Sequence, residues 1–422
     1  MASNKIFSLE GKGLKLDTTQ DIEPHIKDLK VNNDVEEVRL LGNTLGIGAS
    51  EALAKVLKTK KKLQIANLAD IFTARLLSEI PLALSHLLTS LLTLPNLHTI
   101  NLSDNAFGLN TQAPLVAFLS SHTPLRHLIL NNNGLGPAAG VLIADALTAL
   151  AAKKEAARKE GKEVANLETV ICGRNRLENG SMGAWAKAYA AHRSVREVKM
   201  VQNGIRQEGI THLLKDGLSH ANQLRVLDLQ DNTFTALGAR ALSDVVGGWA
   251  QLQELGVGDC LLSGRGGVML GKALREGNNA KLEVLRLQFN EIDAKGVKGL
   301  ADAHEKLPAL RRVELNGNRF SEDDEGVEKL REVLEARKEK ADGVGEDDEY
   351  WGLDELDELE DESDEEEEEG AESGDEEEGV EVEEKAAREI AAAQQAEEEN
   401  VPLENDKSVN DLADALRKTQ IK

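Results

Sequence analysis

Arg75 is the first residue of this sequence whose type and position suggest chemistry. It lies in LADIFTARLLSEIPLAL, residues 68–84, where a regular pattern along the chain is interrupted. Arginine is permanently charged and carries several N–H donors, so an exposed one is a candidate for binding or catalysis. Six further polar residues share one position in a motif that repeats along the chain. Each stands directly before the slot that is usually asparagine: Asp104, Asn132, Arg174, Gln202, Asp231 and Asp259. Together they are the best candidate site in the chain, although any one of them could simply hydrate a surface.

Motifs for other kinds of chemistry are weak or absent. GGVMLGKA, residues 266–273, resembles a phosphate-binding loop but has Ala273 where a Mg²⁺-binding Ser or Thr is needed. The sequence contains no H-E-x-x-H, C-x-x-C or G-x-S-x-G, and its nine histidines show no metal-ligand spacing. Basic stretches with interleaved aromatic residues are also missing, which argues against nucleic-acid binding. The sequence therefore indicates a macromolecular partner.

The repeated motif is L-x-L-x-x-N-x-L, as in INLSDNAF at 100 and LILNNNGL at 128. Its asparagine slots are Asn43, Asn105, Asn133, Asn175, Asn203, Asn232, Cys260, Asn290 and Asn318, with a degenerate tenth slot at Leu68. This is the leucine-rich-repeat signature, in which a short strand buries alternate apolar residues and the Asn side chain bonds the backbone of the next turn. Cys172 and Cys260 lie in ordinary core positions of the motif, so we expect buried, inert thiols.

The spacing of the motif predicts an α/β solenoid of about 10–11 strand-helix repeats, most of them 28 to 30 residues long. After Asn133, for example, Ile143, Leu147 and Leu150 recur at helical spacing. Stacking such units gives a horseshoe with a parallel sheet on the concave face and helices outside. We expect caps at residues 1–30 and at the helix EGVEKLREVLEARKEK near residue 330.

Two repeats are longer than the others, and insertions in a solenoid often emerge on the binding face. The first extends from Leu68 to Asn105 and places Arg75 on an enlarged loop at the carboxyl ends of the strands. The six polar residues named above lie at the same edge. The second extends from Asn133 to Asn175, and its surplus, KKEAARKEGKE, is interpreted as a solvated helical extension.

Acidic residues are concentrated near the end of the chain. The formal charge is −25, and residues 346–399 contain 29 Asp and Glu against Lys385 and Arg388. Such a segment cannot bury enough apolar surface to offset its ordering entropy. We therefore predict a leucine-rich-repeat domain at 1–340, a disordered acidic tail at 341–400 and a short helix-like segment at 401–422. With neither a signal peptide nor a run of 18 apolar residues, we expect a soluble intracellular protein.

Several blocks are more specific than the repeat itself, including DIFTARLLSEIP, LHTINLSDNAFG, ICGRNRLENGSM, KMVQNGIRQEGI and LDLQDNTFT. With LNGNRFSEDD and the acidic tail, they closely resemble the Ran GTPase-activating proteins, in the compact fungal form. The resemblance implies a cytoplasmic or nuclear-envelope protein that stimulates GTP hydrolysis by Ran in nucleocytoplasmic transport. It also implies a monomer with no cofactor and no nucleotide-hydrolysis site of its own, since Ran brings GTP and Mg²⁺. Ran-GTP is then the partner, with a Ran-binding protein as an accessory, and neither nucleic acid nor membrane is expected.

The same resemblance assigns roles to two residues. The family is associated with a rim asparagine that orders the catalytic glutamine of Ran, and this asparagine maps to Asn132. Arg75 is expected to matter for activity, either by ordering its loop or contacting Ran or as an arginine finger. Asp104, Arg174, Gln202, Asp231 and Asp259 are then partner-binding candidates. The alternatives are a non-catalytic leucine-rich-repeat scaffold, such as a ribonuclease inhibitor, and an acidic histone chaperone.

Overall fold

Short strands and helices alternate along the chain, as the repeat predicts. The computed structural model describes residues 5–341, 343, 345, 348 and 350–360. The strands are β1 (Ile6–Ser8), β2 (Lys15–Leu16), β3 (Glu37–Arg39), β4 (Thr44–Leu45), β5 (Ile65–Asn67), β6 (Thr99–Asn101), β7 (His127–Ile129), β8 (Thr169–Ile171), β9 (Glu197–Lys199), β10 (Val226–Asp228), β11 (Glu254–Gly256), β12 (Val284–Arg286), β13 (Arg312–Glu314) and β14 (Gly352–Leu353). The predicted helix-like segment at 401–422 and the tail beyond residue 360 lie outside the described residues.

Helices alternate with these strands along the chain. They are α1 (Thr19–Ile22), α2 (Lys27–Val31), α3 (Ile47–Leu57), α4 (Ile80–Leu91), α5 (Gln112–Leu119), α6 (Gly136–Lys159), α7 (Glu178–Ala191), α8 (Gln207–His212), α9 (Thr235–Val246), α10 (Ser263–Arg275), α11 (Ala294–Asp302) and α12 (Glu325–Lys338). A π-helical segment (Leu213–Gly217) and two 3-10 turns (Leu218–His220, His304–Lys306) complete the set. β1 pairs with β3 at the amino-terminal end of the sheet, and α12 buries Val327, Leu330 and Leu334 near the carboxyl-terminal end.

Twelve strands form one parallel sheet in the order β1-β3-β5-β6-β7-β8-β9-β10-β11-β12-β13-β14, and β2 pairs with β4 separately. All lie in one compact unit, Met1–Glu362. Each central strand residue points into the core, as Ile100 and Leu128 do where they pair across β6 and β7. Helices are about twice as wide as the ~4.8 Å spacing of strands, so stacking curves this unit with the sheet on its concave side.

The core between sheet and helices is aliphatic. On α6, Ile143, Leu147 and Leu150 are buried as the helical spacing predicts. By length and composition α6 also qualifies as a membrane span, but 39% of its apolar window is buried inside the fold. Because α6 packs against α5 and α7, we assign its apolar face to the core.

The asparagine slots form a hydrogen-bonded ladder through the core. Asn105 donates from Nδ2 to the carbonyl oxygens of Leu68 and Leu102, both at 2.9 Å, and its Oδ1 accepts from Ile71 N–H at 2.9 Å. At the one cysteine slot, Cys260 Sγ points to the carbonyl oxygens of Gly258 and Leu229, at 3.3 and 3.5 Å. Burial raises the pKa of both Cys172 and Cys260 to about 12, so they are inert thiols as expected.

The placement of the degenerate slot at Leu68 was wrong. Ala66 pairs with Ile100, so Leu68 corresponds to the buried Leu102, and the slot is three residues further on, at Ile71. The backbone N–H of Ile71 is the group that bonds the next ladder asparagine. The long step therefore measures 34 residues, from Ile71 to Asn105, and remains longer than a standard repeat.

The carboxyl-terminal cap extends into the stretch predicted as disordered tail. β14 pairs in parallel with β13, and the Asp354 carboxylate accepts from the backbone N–H groups of Leu315 and Asn316 at 2.7 and 3.0 Å. Three partly buried leucines, Leu353, Leu356 and Leu359, pack on the core. The predicted boundary at 341 therefore falls before a structured segment, which we call the strap (residues 350–360).

The charged extension KKEAARKEGKE is also less solvated than expected. Its Lys154 is only 1% exposed, and its ammonium group donates to the carbonyl oxygens of Thr123, Leu125 and Ala165 at 2.6–2.8 Å. Removal from water lowers the pKa of Lys154 to about 7. This lysine anchors the end of α6 to neighbouring loops rather than facing solvent.

Candidate functional site

The carboxyl ends of the strands form one edge of the sheet. At this edge a residue with left-handed φ, between 45° and 61°, precedes the ladder slot in eight repeats. We call these eight residues the rim: Asp70, Asp104, Asn132, Arg174, Gln202, Asp231, Asp259 and Phe289. Left-handed backbone is unfavourable for most L-residues and least so for Asn and Asp, which explains part of the composition of the rim.

Backbone hydrogen bonds hold the rim residues in place. The N–H of Asp104 donates to the carbonyl of Asn131 at 3.0 Å, and that of Asn132 donates to Gly173 at 2.9 Å. The same bond to the next repeat is made at Arg174, Gln202, Asp231 and Asp259. Adjacent strands are ~4.8 Å apart, so the rim presents one side chain per strand at about that spacing.

Asp104 and Asn132 form a polar pair on the rim. Asn132 donates from Nδ2 to the Asp104 Oδ1 at 2.9 Å, and both residues are exposed. A carboxylate can only accept, so this bond fixes which end of the amide faces Asp104. Among the described residues, Asn132 Oδ1 accepts no hydrogen bond. The pair lines an open depression of about 370 Å³ with Ala106, Gly108, Asn133 and Gly134.

The neighbouring Asn133 has the opposite environment, as the motif predicts. It is fully buried, and its Nδ2 donates to the carbonyl oxygens of Leu102 and Asn131 at 3.1 and 2.9 Å. Its Oδ1 accepts from the N–H of Asn105. Asn133 therefore serves the ladder, whereas Asn132 is available to a partner.

The Arg75 side chain turns back onto the amino-terminal cap. Its guanidinium pairs with the Asp17 carboxylate, and the side chain is only 7% exposed. Nε donates to Thr44 Oγ1 at 2.8 Å, and Nη2 donates to the carbonyl oxygens of Thr44 and Leu16 at 3.0 and 3.3 Å. With every nitrogen of its guanidinium engaged, Arg75 fastens the loop that carries it to the preceding repeat.

That loop is enlarged, and so is the next one. Residues 68–79 separate β5 from α4 and residues 102–111 separate β6 from α5, whereas residues 130–135 suffice between β7 and α6. Buried Phe72 and Phe107 meet with ring centroids 6.3 Å apart and so join the two loops. Gly108 then donates its N–H to the carbonyl of Asn133 at 3.0 Å. The Arg75 loop is thus connected through packed residues to the Asp104–Asn132 pair.

Further along, the rim contains a second depression, of about 420 Å³. Its lining includes Gln202, Asp231 and Asp259, together with Arg176, Glu178 and Leu261. The structure therefore brings the predicted residues together in two groups, with Arg174 between them. Four rim residues are acidic and one is basic, so the rim complements a basic surface.

Sequence reasoning missed several residues of this region. Asp70 is a rim residue, hidden by the misplaced slot at Leu68, and its carboxylate accepts from the Thr73 hydroxyl. Asp17, the partner of Arg75, lies 58 residues away in sequence, and no local pattern indicates their contact. Three exposed leucines, Leu76, Leu77 and Leu109, were also overlooked. The only signal for them was their position in loops longer than the repeat requires.

The phosphate-loop resemblance at 266–273 has a packing explanation. The segment lies within α10, away from any strand-to-helix loop. A Cβ at Gly271 would lie 2.6 Å from the backbone of Gly299, and one at Gly267 would lie 2.8 Å from Ile292. These glycines let α10 and α11 approach closely. Within the described residues, no cluster of His, Cys, Asp and Glu could hold a metal ion.

Comparisons with known proteins identify the repeat and the family. A leucine-rich-repeat family model matches residues 220–243 and 278–301. Ran GTPase-activating protein 1 of Saccharomyces cerevisiae is 41% identical over 335 residues, covering 77% of this chain and 81% of that protein. The Ran GTPase-activating protein of Drosophila melanogaster is 33% identical over 77% of this chain and 54% of its own length. The ribonuclease inhibitor of Sus scrofa is 25% identical over 76% of this chain and 73% of its own. The yeast match, over most of both chains, shows that this chain belongs to the Ran GTPase-activating protein family.

Proposed function

We propose that the protein stimulates GTP hydrolysis by the small GTPase Ran in the cytoplasm, and so supports nucleocytoplasmic transport. The observation that carries this proposal is the exposed Asp104–Asn132 pair on the rim of a chain of this family. Ran supplies the nucleotide and Mg²⁺, and the protein supplies a surface that binds the Ran-GTP complex. Family membership favours this function over a non-catalytic scaffold or a histone chaperone.

Asn132 acts by ordering the catalytic glutamine of Ran. Its Nδ2 is held by Asp104, and its Oδ1 accepts no hydrogen bond among the described residues, which leaves this oxygen as an acceptor for the N–H of a partner amide. A glutamine held this way presents its own oxygen to the attacking water, which is the arrangement that phosphoryl transfer to water requires. A carboxylate would repel the charge on the γ-phosphate, and an ammonium could not accept, so an amide suits this role.

Arg75 acts indirectly, as a positioning residue. An arginine finger must reach the transferred phosphate, but the Arg75 guanidinium is almost fully buried against Asp17, Thr44 and Leu16. It stabilises the loop whose Phe72 packs on Phe107, and so supports the segment next to Asn132. This supports the loop-ordering alternative over the finger.

The remaining rim residues bind Ran by charge and hydrogen bonding. Asp104, Asp231 and Asp259 attract basic side chains, while Arg174 and Gln202 supply donors between them. Exposed charges of this kind mainly set association rate and specificity. The protein acts as a monomer, with a Ran-binding protein as an accessory partner and without nucleic acid or membrane.

The test is single-turnover hydrolysis of Ran-GTP at saturating concentrations of this protein. We expect strong stimulation by the wild type and a loss of ~10² to 10³ in rate for Asn132→Ala, the usual cost of removing one positioned catalytic hydrogen bond. Asn222→Ala removes an exposed asparagine distant from the rim and is the matched control. An unchanged rate for Asn132→Ala would refute the ordering role, and a wild type without effect on Ran would refute the proposed function.

A further inference from the structure

Three exposed leucines lie on the two enlarged loops. Leu76 is 68% exposed, Leu77 61% and Leu109 49%, and we call them together the ledge. A single exposed leucine needs no explanation, but several on adjoining loops often mark an interaction site. The ledge lies at the same edge of the sheet as the rim.

Contacts fix the two loops that carry the ledge, and one of these loops adjoins the Asp104–Asn132 pair. Leu76 follows Arg75, whose side chain is fastened to the amino-terminal cap, and its N–H donates to the Glu79 carboxylate at 3.1 Å. Leu109 follows Gly108, which lines the same depression as Asn132. The Phe72–Phe107 contact joins the two loops. The loops that carry the ledge are therefore preorganised, and one of them lines the depression of the proposed catalytic surface.

We propose that the ledge docks an apolar surface of Ran beside its catalytic glutamine and excludes water from the Asn132 amide. This inference rests on the proposed function. An exposed amide bonds water as readily as a partner, so a hydrogen bond from Asn132 is selective only where water is displaced. In many interfaces, apolar side chains around a central polar contact remove that competition. The leucines of the ledge, on the loop that lines the Asn132 depression and on the loop packed against it, supply such apolar side chains.

The Leu109 loop lines the Asn132 depression, and this selects Ran as the occupant of the ledge. A partner whose glutamine reaches Asn132 must also cover the loops on that side, which places an apolar part of its surface against the leucines. A second copy of this chain is the competing occupant, and it would make self-association depend on the same leucines.

The experiment compares leucine variants inside and outside the ledge. The ledge variants are Leu76→Ser/Leu77→Ser and Leu109→Ser, with Leu77→Lys in case the double variant does not fold. The matched controls are Leu82→Ser and Leu142→Ser, which alter exposed leucines on α4 and α6. For each variant, we would measure the Kd for Ran loaded with a non-hydrolysable GTP analogue, the saturating rate with Ran-GTP, Tm, and sedimentation over a range of concentrations.

We expect the Kd to rise about tenfold for each leucine removed from the contact. The saturating rate should also fall for the ledge variants, because water regains access to the amide. The controls should stay within about twofold of the wild type in both quantities, and Tm should be unchanged throughout.

The possible failures are distinguishable. Ledge variants that match the controls while the wild type stimulates Ran would overturn the ledge and leave the proposed function standing. Wild-type dimers that the ledge variants abolish, with Ran binding unchanged, would assign the ledge to self-association and also overturn the proposal. A wild type that does not act on Ran would overturn both proposals.

Discussion

Asn132 and Arg75 have opposite surroundings. Asn132 is exposed and its Oδ1 accepts no hydrogen bond among the described residues, whereas Arg75 is enclosed by Asp17, Thr44 and Leu16. An exposed amide can engage a partner directly, but a buried guanidinium would first have to break its ion pair. We therefore expect the two residues to fail in different ways when replaced.

The Arg75–Asp17 pair provides a test that separates positioning from direct catalysis. We predict that Arg75→Ala lowers the kcat/KM for Ran-GTP about tenfold, because the Arg75 loop loosens beside the catalytic surface. Asp17→Ala should cause part of the same loss, and the double variant should be no worse than Arg75→Ala alone. Such non-additivity is typical of residues that act through one contact. Arg193→Ala, which removes an exposed arginine away from the rim, is the control.

An arginine finger predicts a different pattern. Arg75→Ala would then lose ~10³ or more at saturating activator, and Asp17→Ala would have little effect or would even release the arginine. Observation of that pattern in the single-turnover rate would contradict the positioning role.

At the scale of the elements, the repeat was predictable wherever its asparagine was present. Each ladder Asn bonds three or more backbone groups in its own and neighbouring repeats, so the asparagine of the motif marks the slot directly. The second repeat has Ile71 in the slot in place of asparagine. The apolar pattern alone could not show whether Leu68 or Ile71 occupies that slot. The rim followed from its position before the slot, but its left-handed backbone and the Asp104–Asn132 bond depend on neighbouring repeats.

The strap is a structured element that the acidic composition of the sequence does not predict. Leu353, Leu356 and Leu359 lie in a strongly acidic stretch, yet they pack on the core of the last repeat. The Asp354 carboxylate accepts hydrogen bonds from the backbone N–H groups of Leu315 and Asn316, which follow β13. Arg312 donates to the Leu353 carbonyl at 3.3 Å, and Arg319 pairs with Glu360 at 3.0 Å. The net charge of this stretch predicts disorder, because a charge count ignores the apolar residues that pack against the last repeat and cover its edge strand, β13.

Truncation tests the role of the strap as a cap. We predict that a chain ending at residue 345 loses roughly 3 kcal/mol or more in free energy of unfolding, because the leucines and the Asp354 hydrogen bonds disappear together. A chain ending at residue 360 should match the full-length protein, since it retains all these contacts. Asp354→Ala alone should cost about 2 kcal/mol, because two backbone N–H groups lose their acceptor. Urea unfolding measures all three, and equal stability of the two truncated chains would refute the cap.

At the scale of the whole molecule, the strap ends at the edge of the sheet that carries the rim. The strap runs parallel to the other strands, and the N–H of Glu360 donates to the carbonyl of Asn318, a ladder residue at the carboxyl ends of the strands. The last described residue, Glu360, therefore lies at the edge that carries the rim, and residues 361–399 of the sequence contain 20 Asp and Glu.

We predict that this acidic sequence accelerates association with Ran at low salt. Attraction between opposite net charges raises association rates by about tenfold or more at low ionic strength and is largely screened within ~10 Å at 0.1 M salt. The chain ending at residue 360 should therefore bind Ran-GTP more slowly than the full chain at 20 mM NaCl, with the difference fading by 500 mM. Its saturating hydrolysis rate should be unchanged, because Asn132 and the ledge remain in place. Stopped-flow association over a series of salt concentrations makes the comparison, and equal on-rates at low salt would leave the acidic sequence no role in steering.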